Sequence, residues 1–374
     1  MSNRLGGFIA GQNINVSIGT FTAITSPTFN FTSTQATPAV GQAVQFTTTG
    51  TLPTGLSTNT TYYVISTSTN TCQFSTTLGG SAVTFTNSSG SGTHTAVTQR
   101  AFNPYAGAPD TVEYLVVAGG GGGGASNNSG GGGGAGGLLT AAGFFVATGT
   151  ALTVTVGAGG AGVATNKGAN GSNSVFSSIT ATGGGGGAYF GDTQASLTGG
   201  SGGGANSQST FGLGTSGQGN AGGPSNAVQF AGGGGGAGSI GGSGVDNIAG
   251  GDGGTGLCST ITGSRVFYAG GAGGGVGGGG NAPGKFGGIG GGGGGGKGSD
   301  YAGTGATAGT SNTGGGGGGG GQLSAVGAAG GSGIVIVRYP QLNSPPALVT
   351  GSPQLSYSDG YQIYTWTSSG SIIF

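Results

Sequence analysis

The runs of glycine decide most of what this chain can fold into. "AGGGGGGA" (118–125), "GGGGGAGG" (130–137), "GGGGG" (183–187), "GGGGG" (232–236), "GGGGGGG" (290–296) and "GGGGGGGG" (314–321) are the longest, and 103 of the 374 residues are Gly. Glycine has no side chain to bury and loses the most backbone freedom on ordering, so it builds neither a stable helix nor an ordinary strand. Two outcomes remain for such runs. One is flexible coil. The other is polyglycine II, an extended helix of three residues per turn. It lacks internal hydrogen bonds but packs side by side through N–H···O=C and Cα–H···O contacts between chains. A collagen triple helix is excluded, because the glycines do not fall strictly at every third position and only 11 residues are Pro.

Three features favour packed rods over coil. The region is bracketed by strand-like runs, "TVEYLVVAG" at its start and "GSGIVIVRYP" at its end. If these pair, closing the loop between them costs only about 5 kcal/mol, because closure entropy grows with the logarithm of length. An inner strand pair is expected in "FFVATGTALTVTVGAG", where Leu152, Val154 and Val156 alternate with threonines. The glycine runs also recur with a different short insert after each, a punctuation that a linker does not need.

Charge excludes several functions. Seven basic residues balance seven acidic ones, so no field draws in nucleic acid or an anionic membrane surface. "MSNRLGGFIAG" lacks the apolar core of a secretory signal, and no run of 18 apolar residues exists to span a bilayer. The two cysteines, Cys72 and Cys258, are too few for a disulfide framework or a structural zinc site.

Composition divides the chain into residues 1–111, an N-terminal attachment segment with a small β-module; 112–340, the glycine-rich domain; and 341–374, a C-terminal hairpin. The joints are "AFNPYAGAPD" and "YPQLNSPPAL", where proline interrupts ladders. In the first part, "AVQFTTTG", "TTYYVIST", "CQFSTTL" and "AVTFTNS" read as strands between Gly, Pro, Asn and Ser turns. In the last, "YSDGYQIYTWTSSGSIIF" predicts a hairpin around "SSG", with Tyr361, Ile363 and Thr365 on one face and Tyr364 and Trp366 on the other. No helical period is found. The expected fold is mainly β with polyglycine II and essentially no α-helix.

Motifs that carry chemistry are weak here. Matches to G-x-G-x-x-G are uninformative at this glycine density, and no helix follows to hold phosphate. "GGGGGGKG" lacks the Ser or Thr that should follow Lys297 in a phosphate loop. "GGSGVDNIA" (241–249) fits the nonapeptide calcium-roll pattern through Asp246, but such rolls need tandem copies. Acidic residues are scattered singly, and His94, the sole histidine, has no carboxylate or cysteine grouped beside it. Neither an enzyme, a metal site nor a cofactor is expected.

Residues 40–95 resemble a small β-module that recurs in tail-fibre and other structural proteins of tailed bacteriophages, through the order "LPTGL", "YYVI", "FSTT" and "GSGTHT". The span from "VEYLVVAGGGGGG" to "GGSGIVIVRYP" resembles the glycine-rich domain of phage tail-fibre and adhesin proteins. Its architecture is similar in principle to the tip adhesin of T-even-like phages, where packed polyglycine II helices carry variable host-binding loops. The resemblance implies a virion tail protein that binds a bacterial surface receptor, glycan or outer-surface protein. It would be made in the host cytoplasm without a signal peptide and attached to other tail proteins through its N-terminal segment, as a single chain or as a homo-oligomer (trimer).

The inserts "AYFGDTQASLT", "ANSQSTFGLGTS", "PSNAVQFA", "LCSTITGSRVFYA" and "GSDYAGTGATAGTSN" hold most of the region's aromatics. On rigid rods they become end loops, and Tyr189, Phe190, Phe211, Phe230, Arg265, Phe267, Tyr268 and Tyr301 are the candidate receptor-binding residues. The alternatives are a fibre shaft or decoration protein without receptor binding, and an ice-binding or extracellular matrix glycine-rich protein.

Overall fold

The computed structural model describes residues 13–374 except 22–23, 32, 35–39, 59, 69, 87–89, 102–107, 126–127, 192, 226–228, 279–283, 302–304 and 323–325. The expected attachment segment "MSNRLGGFIAG" lies outside the described residues. Among those described there are strands and turns but no helix, as the sequence predicts. The chain forms two compact units, residues 1–104 and 105–374.

The first unit is a sheet of eight strands: β1 (Asn13–Phe21), β2 (Ile24–Thr25), β3 (Thr28–Asn30), β4 (Ser33–Thr34), β5 (Ala43–Thr48), β6 (Tyr62–Ser68), β7 (Thr71–Ser75) and β8 (His94–Ala101). Their order is β2-β3-β7-β6-β5-β8-β1-β4. The alternation in β5 and β7 buries Val44, Phe46, Cys72 and Phe74. These meet Phe21, Phe29, Tyr62 and Phe85 in a core built largely from aromatic edges and faces. Three of the four expected strands form. The fourth, "AVTFTNS", does not: the Val83 N–H donates to the Phe74 carbonyl and Phe85 is buried, so the segment packs onto β7 without a ladder. His94 is fully buried, with Nδ1 2.7 Å from Thr48 Oγ1 and its ring 5.2 Å from that of Phe21. It is part of the packing of this module.

The second unit contains β9 (Thr111–Val117), β10 (Leu138–Phe145), β11 (Ala151–Thr155), β12 (Ser174–Phe176), β13 (Ile179–Ala181), β14 (Leu257–Ser259), β15 (Val266–Tyr268), β16 (Ile334–Pro340), β17 (Leu348–Thr350), β18 (Gln354–Ser358), β19 (Tyr361–Trp366) and β20 (Gly370–Ile373). Two five-stranded sheets, β10-β9-β16-β19-β18 and β13-β12-β11-β20-β17, pack face to face. The bracketing strands pair directly: β9 and β16 run antiparallel, with Val116 opposite Val335 and Glu113 opposite Arg338. From the first sheet Tyr114, Val116, Val335, Tyr339 and Trp366 meet Val154, Phe176, Ile372 and Phe374 of the second. The other face of the first sheet is also covered, with Leu115, Val117, Ile334, Ile336 and Ile363 packing against Ile261 and Tyr268. Burial on both faces explains why β9 and β16 are nearly continuous apolar runs rather than alternating ones.

Two expected pairings are corrected. The strands within "FFVATGTALTVTVGAG" form but do not pair with each other. β10 joins β9, whereas β11 joins β12 and β20, so the turn at 147–150 carries the chain from one sheet to the other. The C-terminal hairpin turns at Asp359–Gly360 and joins β18 to β19; "SSG" is instead the crossing from β19 into β20 of the second sheet. Asp359 and Gly360 both have positive φ, 51° and 82°, the geometry that a tight two-residue hairpin requires. The alternation expected for β19 holds: Tyr364 and Trp366 face the sandwich core, and Ile363 and Tyr361 face the other way. Residues 341–374 thus supply strands to both sheets of the second unit.

The strands continue into the glycine runs. In the rod 118–125 that follows β9, donors change partner with a period of three. Ala118, Gly121 and Gly124 donate to Gly137, Gly134 and Gly131; Gly119, Gly122 and Ala125 to Ser172, Ala169 and Asn166; Gly120 and Gly123 to Gly331 and Ala328, at 2.8–3.2 Å. Carbonyls of the same rod accept from Gly160, from Gly184 and Gly187, and from Gly317 and Gly320. Six segments therefore surround one rod, as three residues per turn dictates for polyglycine II. Glycine is required by proximity: a Cβ at Gly121 would collide with the carbonyl of Gly185, and one at Gly123 with that of Gly318. Ala135 and Ala269 stand where rods meet side chains beneath the first sheet.

Candidate functional site

The direction of each rod follows from its hydrogen-bond register and sorts the inserts between the two ends of the lattice. The rod 118–125 leaves the sandwich from β9 and 130–137 returns into β10, so the turn between them lies at the outer end. The rods 182–188 and 314–320 run parallel to 118–125, through bonds such as Gly184 to Gly119 and Gly317 to Gly121, and also travel outward. Continuing in this way, Tyr189, Phe211, Phe230, the turn at 245–248, Val276, Phe286 and Tyr301 fall at the outer end. The hairpin β14–β15 falls at the inner end, against the sandwich.

The eight candidate residues therefore do not form one surface. Tyr189, Phe190, Phe211 and Tyr301 are half-buried at the outer end. Asn206 Nδ2 donates to the Tyr189 carbonyl, and Tyr189 bridges Gly130, which ties three outer turns together. The Tyr301 N–H donates to the Lys285 carbonyl. Phe230 is at the outer end but fully buried, bridged to Val276 and covered by the Lys285 amine 5.1 Å from its ring centroid. It packs beneath the surface rather than lining it.

Arg265, Phe267 and Tyr268 lie on β14–β15 and its turn at the inner end. Tyr268 is buried among Leu115, Val117 and Ile336, and burial pushes its phenol pKa above the ordinary value. Arg265 is exposed, and Phe267 is 52% exposed. The hairpin is pinned to the sheet by Arg338. That guanidinium donates from Nε to Glu113 Oε2 at 2.7 Å and from Nη1 to the Thr260 and Ile261 carbonyls at 3.2 Å, and it stacks 4.3 Å from the Tyr361 ring centroid. A planar fork satisfied on several sides at once fixes orientation better than a single ion pair does.

Sequence reasoning missed the most exposed apolar group at the outer end. Val245, Ile248 and Phe286 are 47%, 59% and 60% exposed. They lie on adjoining segments: the Phe286 N–H donates to the Ile248 carbonyl, and the Val245 N–H to the Ala249 carbonyl. The signal was present in "GGSGVDNIA", which was weighed only as a calcium pattern; here it is a tight turn that presents Val245, Asp246, Asn247 and Ile248 to solvent. Lys285 Nζ reaches Gln229 Oε1 at 3.4 Å and Asn247 Oδ1 at 3.5 Å. Among the described residues no cluster of three metal-ligating side chains occurs, and no helix is long and apolar enough to cross a membrane.

These features define a class: a β-sandwich whose strands run on into a hydrogen-bonded polyglycine lattice with loops at its far end. Residues 95–340 match the glycine-rich domain family, and the chain belongs to that family. No curated protein and no solved structure matches the chain.

Proposed function

We propose that this chain is a bacteriophage virion protein, a tail fibre or tail-tip adhesin that binds the host cell surface through loops displayed at the outer end of the glycine lattice. The observation that carries this reading is the sorting of the loops. One end of the lattice is locked to the sandwich by side chains, while the other gathers turns bearing Tyr189, Phe190, Phe211, Val245, Ile248, Phe286 and Tyr301. A rigid platform loses little order on contact, so its loops bind with a small entropic penalty. The resemblance of residues 40–95 to a phage β-module supports the virion setting. The partner is a bacterial surface receptor, and the N-terminal segment joins other tail proteins. The protein is non-enzymatic and acts in the virion tail, as one chain or as a trimer.

The test is binding of labelled full-length protein to a panel of bacterial strains. It is run beside one variant with Tyr189, Phe190, Phe211 and Tyr301 changed to Ser and another with Arg265 and Phe267 changed to Ser. Strain-restricted binding, lost in the outer-end variant and kept in the inner-end one, is the expected result. Absence of binding by folded protein to every strain would assign the chain to a shaft or decoration role.

A further inference from the structure

We infer that the turn at 245–248 and the Lys285–Phe286 segment form the principal contact site, and that its ligand is a polypeptide loop carrying both an acidic and a basic side chain around an apolar one. This rests on the adhesin reading above. Three apolar side chains, Val245, Ile248 and Phe286, stand about half exposed on touching segments. Beside them the Lys285 amine is held by two neutral amide oxygens and the face of the Phe230 ring. Those partners orient the amine without cancelling its charge. On the same turn Asp246 is exposed, and among the described residues no ion pair joins it to a basic side chain.

The site therefore presents one positive and one negative group beside an apolar surface. A polyanionic surface glycan would gain at Lys285 but bring like charge against Asp246. The apolar side chains of Val245, Ile248 and Phe286 offer sugar hydroxyls no partner, so a glycan would be held only at the polar edge of the site. A protein loop meets all three requirements at once, with an acid against Lys285, a base against Asp246 and an apolar side chain against Phe286. Such charge pairing across a contact sets specificity and association rate, whereas the apolar surface holds the complex.

The experiment uses labelled full-length protein and a strain that the panel above shows to be bound, with cells left intact, treated with protease or oxidised with periodate. We expect protease to abolish binding and periodate to leave it. Phe286→Ser and Lys285→Glu should each weaken binding by about tenfold or more, and Lys285→Gln by less than Lys285→Glu. Asp246→Lys should weaken it as well, with thermal unfolding unchanged in each variant. Binding lost to periodate but not to protease would overturn the polypeptide ligand. Wild-type affinity in Phe286→Ser and Lys285→Glu, with Tyr189, Phe190, Phe211 and Tyr301 still required, would overturn the site and leave the adhesin reading standing. Failure of the wild-type chain to bind any strain would overturn both.

Discussion

The sandwich and the lattice of the second unit hold together by opposite means. In the sandwich, Trp366, Tyr339, Phe176, Leu115 and Ile336 are fully buried, and side-chain packing supplies the stabilisation. In the lattice, rods such as 118–125 bury backbone and little else, and successive N–H groups turn to three different neighbouring rods. The sandwich tolerates a change of shape if volume is kept, because side chains can adopt other rotamers. The lattice has no rotamers to change: its contacts are carbonyl against α-carbon, so one added methyl group displaces a rod. Stability is graded in one region and close to all-or-none in the other.

Four measurements would break or sharpen that contrast. The largest effect is expected from ending the chain at Pro340. This removes β19 from the first sheet and β20 from the second, uncovering both cores; protease resistance and cooperative unfolding of residues 105–340 should be lost. Next, Gly123→Val should destabilise by at least about 3 kcal/mol, since the obstructing atoms are backbone of Gly318 and cannot turn aside. Gly305→Ala meets nothing within 4 Å and should leave the thermal midpoint unchanged. Equal effects at Gly123 and Gly305 would mean that the rods are not packed. Trp366→Ala should cost roughly 3–5 kcal/mol by leaving a cavity in the sandwich and freeing the Thr350 carbonyl, read by denaturant unfolding. The smallest loss is expected from Gly360→Ala, which places a Cβ at φ 82° in open space and should cost about 1 kcal/mol, with the hairpin register preserved by amide exchange.

What could be read from the residues follows the same division. "VEYLVV" and "IVIV" are recognisable as the strands that bracket the glycine region, and the period of two in "YQIYTW" places Trp366 and Ile363 correctly on opposite sides. Side chains carry that information. Where the chain is glycine, every position looks alike, so neither the partner nor the direction of a rod is encoded in the identity of its residues. That is why the inserts could be recognised as end loops but not divided between the outer and inner ends. Tyr268 and Phe230 were indistinguishable from Tyr189 for the same reason. The turn at Asp359–Gly360 was legible as a tight-turn dipeptide, whereas the hairpin was expected around "SSG", whose two flanking strands enter different sheets.

The antiparallel pairing of β9 with its neighbours has a mechanical consequence. Tension applied between the outer loops and the chain preceding Thr111 runs along β9 and the rod that extends it, parallel to both strands. The ladders to β10 and β16 are then loaded in shear, with their bonds sharing the force together instead of opening one after another. The glycine rod 118–125 continues the same line of load, bonded to six neighbours rather than two, so a pull at the tip is spread sideways through the bundle before it reaches the sheet. A fastening of this geometry yields at a much higher force than one of equal stability that unzips.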